Sequence, residues 1–417
     1  MPTIGLRYGS TTVPFDYDER LFDVLEAQRD KLPLSDVEIG ARLDQPIGSP
    51  PLEELIGPDE TVLFVVPDAT RQAGAGQIIN LLVRRLIADG VEPHRMAIMF
   101  AIGIHRKVTE EEKRAILTPF IAQRIKTFDH DARDLMQISR VGETSGGIPV
   151  ELNRALFEYD RVVLIGGVTF HYFAGFTGGR KLVCPGLASS KTIAATHKLA
   201  FDCERMERRE GVGTGLLDGN AVHEAFVEAA SKAKIDFAAN TIVNDAGDVT
   251  DIFCGDRITA HRAACDTFAS RYKVTLAEKR ELVIASCGGY PFDINMIQAH
   301  KSLEAASKAC IDGGTIVLLA ECRDGLGRDD FLNWFDAADS SGLAQKLCEK
   351  YQVNGQTAWS FLKKAERFNI AIVSSLDENS LSKVRSKKLR ADGIEALINE
   401  KTRGYFIPNA SKILIES

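Results

Sequence analysis

One thirty-residue stretch, VTFHYFAGFTGGRKLVCPGLASSKTIAATH at positions 168–197, gathers a base, an amine nucleophile and a metal-type imidazole in His171, Lys181 and His197. The apolar run at 161–168 (RVVLIGGV) leads straight into it and reads as a strand. His171 then stands at a strand's carboxyl end, where open α/β sheets bind ligands. Gly175, Gly178 and Gly179 allow backbone to approach a ligand closely. Pro185-Gly186 turns the chain, and a helix begun near Ser189 carries His197.

Two further strand ends hold residues of complementary type. The pattern predicts a strand over 61–67, a helix over 77–88 and a strand over 95–102, a βαβ unit. Its strand ends carry Asp68-Ala69-Thr70-Arg71 and Gly103-Ile104-His105-Arg106. Arg71 offers a planar fork for a carboxylate and Lys301 a second cation, which suits a small organic acid. Histidines at 105 and 171 suit proton exchange with a substrate hydroxyl. Each residue alone has a plain structural reading as a surface or salt-bridge group. Their joint placement at strand ends favours a site.

Several familiar chemistries are excluded by spacing. Five residues after Gly175 stands Arg180, and Leu182 follows Lys181, so the glycine loop is not the phosphate loop of an ATPase. Gly211-Val212-Gly213-Thr214-Gly215 lacks the spacing and the preceding strand of a dinucleotide fingerprint. Neither H-E-x-x-H nor G-x-S-x-G occurs, which weakens zinc-hydrolase and serine-hydrolase readings.

The elements that must position these residues fit a soluble chain of 417 residues, 45% hydrophobic and 26% charged, long enough for two domains. A net charge of −7 with scattered Lys and Arg argues against a nucleic-acid partner. No apolar run reaches the roughly 20 residues of a membrane span, and the first residues lack a signal-peptide core, so a cytoplasmic location is expected. The eight cysteines, dispersed over 184–348 without C-x-x-C, read as reduced core thiols rather than a disulfide framework. A hairpin is expected over 4–13, a short helix over 20–27, a helix-rich connection over 109–156 with a turn-prone patch at 142–149, and helices over 218–233 and 253–273. A charged run at 272–280 marks a boundary. Beyond it come a strand at 281–286, the loop Cys287 to Asp293, a helix with Gln298 and Lys301 on one face, strands at 315–320 and 370–374, and a last apolar segment at 412–416. The expected fold class is α/β, with two mostly parallel sheets flanked by helices and the active site in the cleft between domains 1–275 and 276–404; the final segment, 405–417, can return to either domain, the first included.

Together D-x-T-R at Asp68 to Arg71, G-x-H-R at Gly103 to Arg106, H-Y-F-A-G-F-T-G-G-R-K at His171 to Lys181, His197, and G-G-Y-P-x-D at Gly288 to Asp293 span nearly the whole chain. In these motifs it resembles the lactate racemase family, nickel-pincer-nucleotide enzymes that racemise or epimerise 2-hydroxy acids. The resemblance implies a cofactor, pyridinium-3,5-bisthiocarboxylate mononucleotide nickel, joined covalently to Lys181, with His197 as the protein's nickel ligand and Thr70, Gly175, Thr177, Gly178 and Gly179 around the nucleotide. Four donors in a square plane suit Ni(II). It also implies His105 and His171 as the acid–base pair while hydride leaves Cα and returns, with Asp68, Arg71, Gln298 and Lys301 on the substrate, Trp359 closing the pocket (Trp334 in reserve), and cofactor-synthesis proteins as maturation partners. Where family members often continue T-R with proline, this chain has Gln72-Ala73-Gly74. That removes a rigid wall, places an amide beside the clamp and points to a substrate larger or more polar than lactate. The other readings are a 2-hydroxy-acid dehydrogenase on the same scaffold and a non-catalytic nickel or nucleotide carrier.

Overall fold

The structure is a computed structural model describing residues 1–28, 31–398 and 402–416. The chain divides into two compact units: a central unit of 29–200 with 210–270, and a terminal unit of 1–28, 201–209 and 271–417.

The central unit is built on a six-stranded sheet in the order Val249–Gly255, Phe237–Val243, Arg161–Gly167, Val62–Pro67, Met96–Ala101, Lys126–Asp129. All neighbours are parallel except the first pair. Every residue of Val62–Pro67 is buried, as expected of an inner strand covered on both faces. Helix Ala75–Ala88 buries Ile78, Ile79, Leu82, Val83 and Leu86, a stripe at helical spacing that packs with Phe64, Val66, Ile98 and Phe100. Helix Ser190–Lys198 starts where Ser189 accepts from Thr192 N. These elements match the pattern reading.

Elsewhere in this unit the fold departs from it. The connection expected to be helix-rich has two short helices, Glu110–Ile116 and Pro119–Arg124, and then strand Lys126–Asp129 and a hairpin of Ile138–Glu143 with Pro149–Asn153. The turn-prone patch is that hairpin's turn. The antiparallel pair Phe237–Val243 and Val249–Gly255 was not anticipated, because Asn240 and Thr241 interrupt its apolar run; both are buried in the sheet. Residues 253–255 therefore end a strand, and the helix expected from 253 begins at Thr259.

The terminal unit holds an all-parallel sheet in the order Lys387–Lys388, Asn369–Val373, Cys310–Leu319, Arg280–Ser286, Gly404–Ile407, Phe22–Val24. The helix expected over 20–27 is thus a strand. Phe22 packs its ring 5.2 Å from that of Phe406, and this pairing overrides a weak helical period. Strand Leu414–Glu416 pairs with Lys273–Thr275 inside this unit, so the final segment does not return to the central one. Segment 201–209 also belongs here. Its Phe201 meets Trp359 edge to face, Arg208 pairs with Glu304, and Cys203 is bonded to Cys348. That disulfide corrects the all-thiol expectation: its partners lie 145 residues apart and no spacing announces them. The other six cysteines are free and buried.

Candidate active site

In the central unit, Asp68 and His105 leave the carboxyl ends of adjacent parallel strands, Val62–Pro67 and Met96–Ala101, and meet. His105 Nδ1 lies 2.6 Å from Asp68 Oδ2, while Asp68 Oδ1 accepts from Thr70 N at 3.0 Å and Thr70 Oγ1 at 2.6 Å. Burial pushes the Asp68 carboxyl up, but the charge and hydrogen bond of His105, the charge of Arg71 and the Thr70 hydroxyl outweigh it and hold the group at about 2. Arg71 Nη1 donates to Thr70 O at 3.0 Å. The structure thus gives Asp68 and Thr70, read from sequence as substrate and cofactor contacts, a first role toward His105. Gln72 is half-buried. Its Oε1 is buried without a hydrogen-bond partner, and its Nε2 lies 3.6 Å from where a Cβ on Gly247 would stand.

The loop from His171 to Lys181 is held from below by a residue whose part sequence reasoning missed. Arg180 is buried, and its Nη2 donates to Ala174 O at 2.7 Å while Nη1 lies 3.0 Å from His261 Nε2. Burial draws Arg180 down to about 10, so it stays charged at neutral pH. Burial and then the charge of Arg180 keep His261 well below the ordinary imidazole range, and its Nε2 also lies 2.9 Å from Thr177 O, which can only accept. Thr177 Oγ1 donates to Gly167 O at 2.8 Å, and Gly179 N donates to Asn240 Oδ1 at 3.1 Å. The glycines serve chain-to-chain approach: a Cβ on Gly175 would stand 2.1 Å from Leu216 O, and one on Gly179 2.6 Å from a ring carbon of His261.

Three of the sequence candidates converge on one ring, Phe173. The His171 ring centroid is 4.5 Å from it, that of His197 5.1 Å, and Lys181 Nζ 5.8 Å. Phe226 backs the same group, 5.3 Å from His197 and 5.8 Å from Lys181 Nζ. Ala174 N donates to His171 Nδ1 at 3.3 Å, and His197 Nδ1 lies 2.8 Å from Ile193 O. A carbonyl only accepts, so the His197 proton sits on Nδ1 and its Nε2 carries the lone pair a metal needs. Among the described residues no group of three or more His, Cys, Asp or Glu is placed to hold a metal ion. Phe173 lies inside the quoted motif, and only its packing reveals its part; Phe226 carried no signal.

In the terminal unit, Gln298 lies in helix Met296–Ala299 and Lys301 caps the next helix, Ser302–Ala309, so they occupy two short helices rather than one. They still meet: Lys301 Nζ donates to Gln298 Oε1 at 2.6 Å. The Gly288 to Asp293 motif is structural. Asp293 Oδ2 accepts from Gly9 N at 2.7 Å and Glu321 N at 3.1 Å, and a Cβ on Gly289 would stand 2.6 Å from Gly9 O. Trp359 lies in the core, 4.9 Å from Phe201, and Trp334 packs against Gly355 there.

A mostly parallel α/β scaffold that carries imidazoles, a lysine and an arginine beyond its strand ends defines the class, an α/β protein with acid–base and cationic groups gathered at the sheet's carboxyl edge. Family models described as the lactate racemase N-terminal and C-terminal domains match residues 8–208 and 275–364. Lactate racemase of Thermoanaerobacterium thermosaccharolyticum is 31% identical over 84% of this chain and 82% of its own. That of Lactiplantibacillus plantarum is 33% identical over 79% and 77%. The chain therefore belongs to the lactate racemase family and is an isomerase of the racemase type. The lactate racemase apoprotein structure from T. thermosaccharolyticum superposes with a TM-score of 0.88 at 25% identity over 100% of both chains. A Thermotoga maritima crystal structure shares the fold, with a TM-score of 0.75 at 20% identity over 93% of this chain and 99% of that one. Among the described residues no helix is long and apolar enough to cross a membrane.

Proposed function

We propose that this racemase inverts Cα of a 2-hydroxy acid with a nickel-pincer nucleotide carried on Lys181. The observation that carries the reading is the convergence of His171, Lys181 and His197 on Phe173. The residues fit the group: Lys181 brings the amine for a covalent link, and His197, its Nδ1 proton committed to Ile193 O, brings one imidazole lone pair. One imidazole is too few for a stable nickel site unaided, so the remaining donors belong to the nucleotide. The bound group supplies a hydride acceptor and donor.

The chain's own residues do the rest. One histidine of the pair His105 and His171 takes the hydroxyl proton of one enantiomer, and the other histidine serves the opposite enantiomer. Arg71 holds the carboxylate, and Lys301 with Gln298 serves the oxygen at Cα. Thr177 and Gly179 already bond within the chain. Their part, with Gly175 and Gly178, is to shape the loop that ends at Lys181. The substrate is larger or more polar than lactate because Gln72 stands where the family's proline would form a wall.

The test is co-expression with the cofactor-synthesis proteins. Intact-mass spectrometry should then show an adduct that disappears in Lys181→Ala, and the loaded protein should racemise a 2-hydroxy acid or epimerise a sugar acid at Cα. Metal should be lost in His197→Ala. Protein from a host that lacks the cofactor should be inactive. Loaded, folded protein that racemises none of these acids, or an adduct that survives in Lys181→Ala, would overturn the reading.

A further inference from the structure

The two histidines are held in opposite ways. His105 is exposed, with 39% of its side chain accessible, and its Nδ1 sits 2.6 Å from a carboxylate. His171 is 7% exposed, and its Nδ1 faces a backbone N–H. An ionised carboxylate only accepts, so the proton between Asp68 and His105 belongs to the imidazole, on Nδ1. A backbone N–H only donates, so Nδ1 of neutral His171 is bare and its proton is on Nε2.

We propose that Asp68 is a positioning residue that fixes His105 as the Nδ1–H tautomer with its lone pair on Nε2, and that His171 is held in the complementary Nε2–H tautomer. Both carboxylate oxygens of Asp68 are engaged in this task. Its Oδ2 is given to His105, and its Oδ1 is fixed by both the amide and the hydroxyl of Thr70. That double grip aims the carboxylate, as the third member of a catalytic triad aims its imidazole. The resting pair therefore consists of one imidazole with its lone pair on Nε2 and one with its proton there.

The catalytic consequence rests on the proposed racemase reading; the tautomers do not. For a substrate whose only stereocentre is Cα, the two forms are enantiomers of equal free energy, so kcat/KM must be the same in both directions at every pH. The inequality of the histidines can therefore appear only in kcat and KM separately, with the two compensating.

The experiment has two independent arms. In the first, the apoprotein with 15N-labelled histidine is observed by long-range 1H–15N NMR at a pH where the rings are neutral, with signals assigned by His105→Gln and His171→Gln. His105 should show Nδ1–H and His171 Nε2–H. Asp68→Asn, whose amide can present a donor, should shift His105 toward Nε2–H and leave His171 unchanged. A wild-type His105 in the Nε2–H form, a wild-type His171 in the Nδ1–H form, or a His105 signal indifferent to Asp68→Asn overturns the proposal.

In the second arm, cofactor-loaded Asp68→Asn should lose on the order of 10²–10⁴ in kcat, equally from either enantiomer, with KM changed less than about threefold. A rise in KM with kcat kept would make Asp68 a substrate contact and defeat the positioning role. The expected tautomers in a loaded protein that racemises nothing would instead count against the functional reading alone.

Discussion

Two glycine loops, Gly175 to Lys181 and Gly288 to Asp293, look alike as sequence, yet only the first packs its own histidine and lysine about one aromatic ring. Both are clamped by a buried charge bonded to backbone. In the central unit Arg180 donates to Ala174 O; in the terminal unit Asp293 accepts from Gly9 N and Glu321 N. Both need glycine because another segment's backbone lies where a Cβ would be. The difference is in what the clamp holds. The first fixes His171 and Lys181 about Phe173, whereas the second ties a hairpin turn to the end of a strand. A glycine motif thus marks close backbone approach, and the neighbouring side chains decide whether chemistry follows.

The largest effects should come from filling those approaches. Gly175→Ala would set a Cβ 2.1 Å from Leu216 O at φ +75°, and Gly289→Ala one 2.6 Å from Gly9 O at φ +74°. Each should cost about 4 kcal/mol in urea unfolding, overpacking added to an unfavourable backbone. They should separate in a cofactor-producing host. Gly175→Ala should reduce adduct formation on Lys181 in the protein that remains folded, and Gly289→Ala should not. Equal adduct in both would erase the distinction between the loops.

Removing the second clamp comes next. Asp293→Ala strands two buried amides and should cost about 3 kcal/mol. Asp293→Asn keeps an acceptor for both and turns its amide into the place of Oδ1, which has no partner, so about 1 kcal/mol is expected. Thermal or urea unfolding of the pair checks this. Equal losses would mean that charge rather than acceptor geometry is what the site needs.

The contrast between the loops also shows what a sequence can reveal. The core βαβ unit was legible because Val62–Pro67 is apolar throughout and Ala75–Ala88 repeats at helical spacing. Strand Phe22–Val24 was not, since its three residues gain their conformation by pairing with Gly404–Ile407, far along the chain. The edge pair Phe237–Val243 and Val249–Gly255 hid for a related reason: Asn240 is polar because it serves Gly179 N. Residue types named the candidate bases, the lysine and the metal-type histidine. They could not show that Asp68 faces His105, that Gln298 and Lys301 bond across two helices, or that Trp359 is a core residue, because each of these depends on a contact partner.

Acid should probe the Asp68–His105 pair directly. The folded-state value of Asp68 is depressed from 3.8 to about 2. Its stabilisation is therefore fully present above the unfolded value and is lost as pH falls through the folded one. The shift corresponds to about 2 kcal/mol. Between pH values of roughly 5 and 2 the wild type should lose about that much more stability than Asp68→Asn. Parallel pH profiles would show that the carboxylate is not held ionised, and would remove the electrostatic contrast between His105 and His171.

The smallest effect expected concerns Gln72, the residue after Arg71, the proposed carboxylate clamp. Its Oε1 is shut off from solvent without a hydrogen-bond partner, so it cannot greet a substrate hydroxyl where it stands. Gln72→Ala removes an unsatisfied buried acceptor, which is favourable, and some packed methylenes, which is not. The two should nearly cancel, leaving stability within about 0.5 kcal/mol and the preference between gluconate or malate and lactate within about threefold. Gln72→Pro tests the missing wall instead of the amide. A ring at that position stiffens the turn after Arg71 and should move the loaded enzyme about tenfold toward lactate, roughly 1.4 kcal/mol of transition-state preference. Should the alanine variant make that shift and the proline variant fail to, the amide must leave its buried place to meet substrate, and the specificity of this clamp would lie in a side chain rather than in the shape of its backbone.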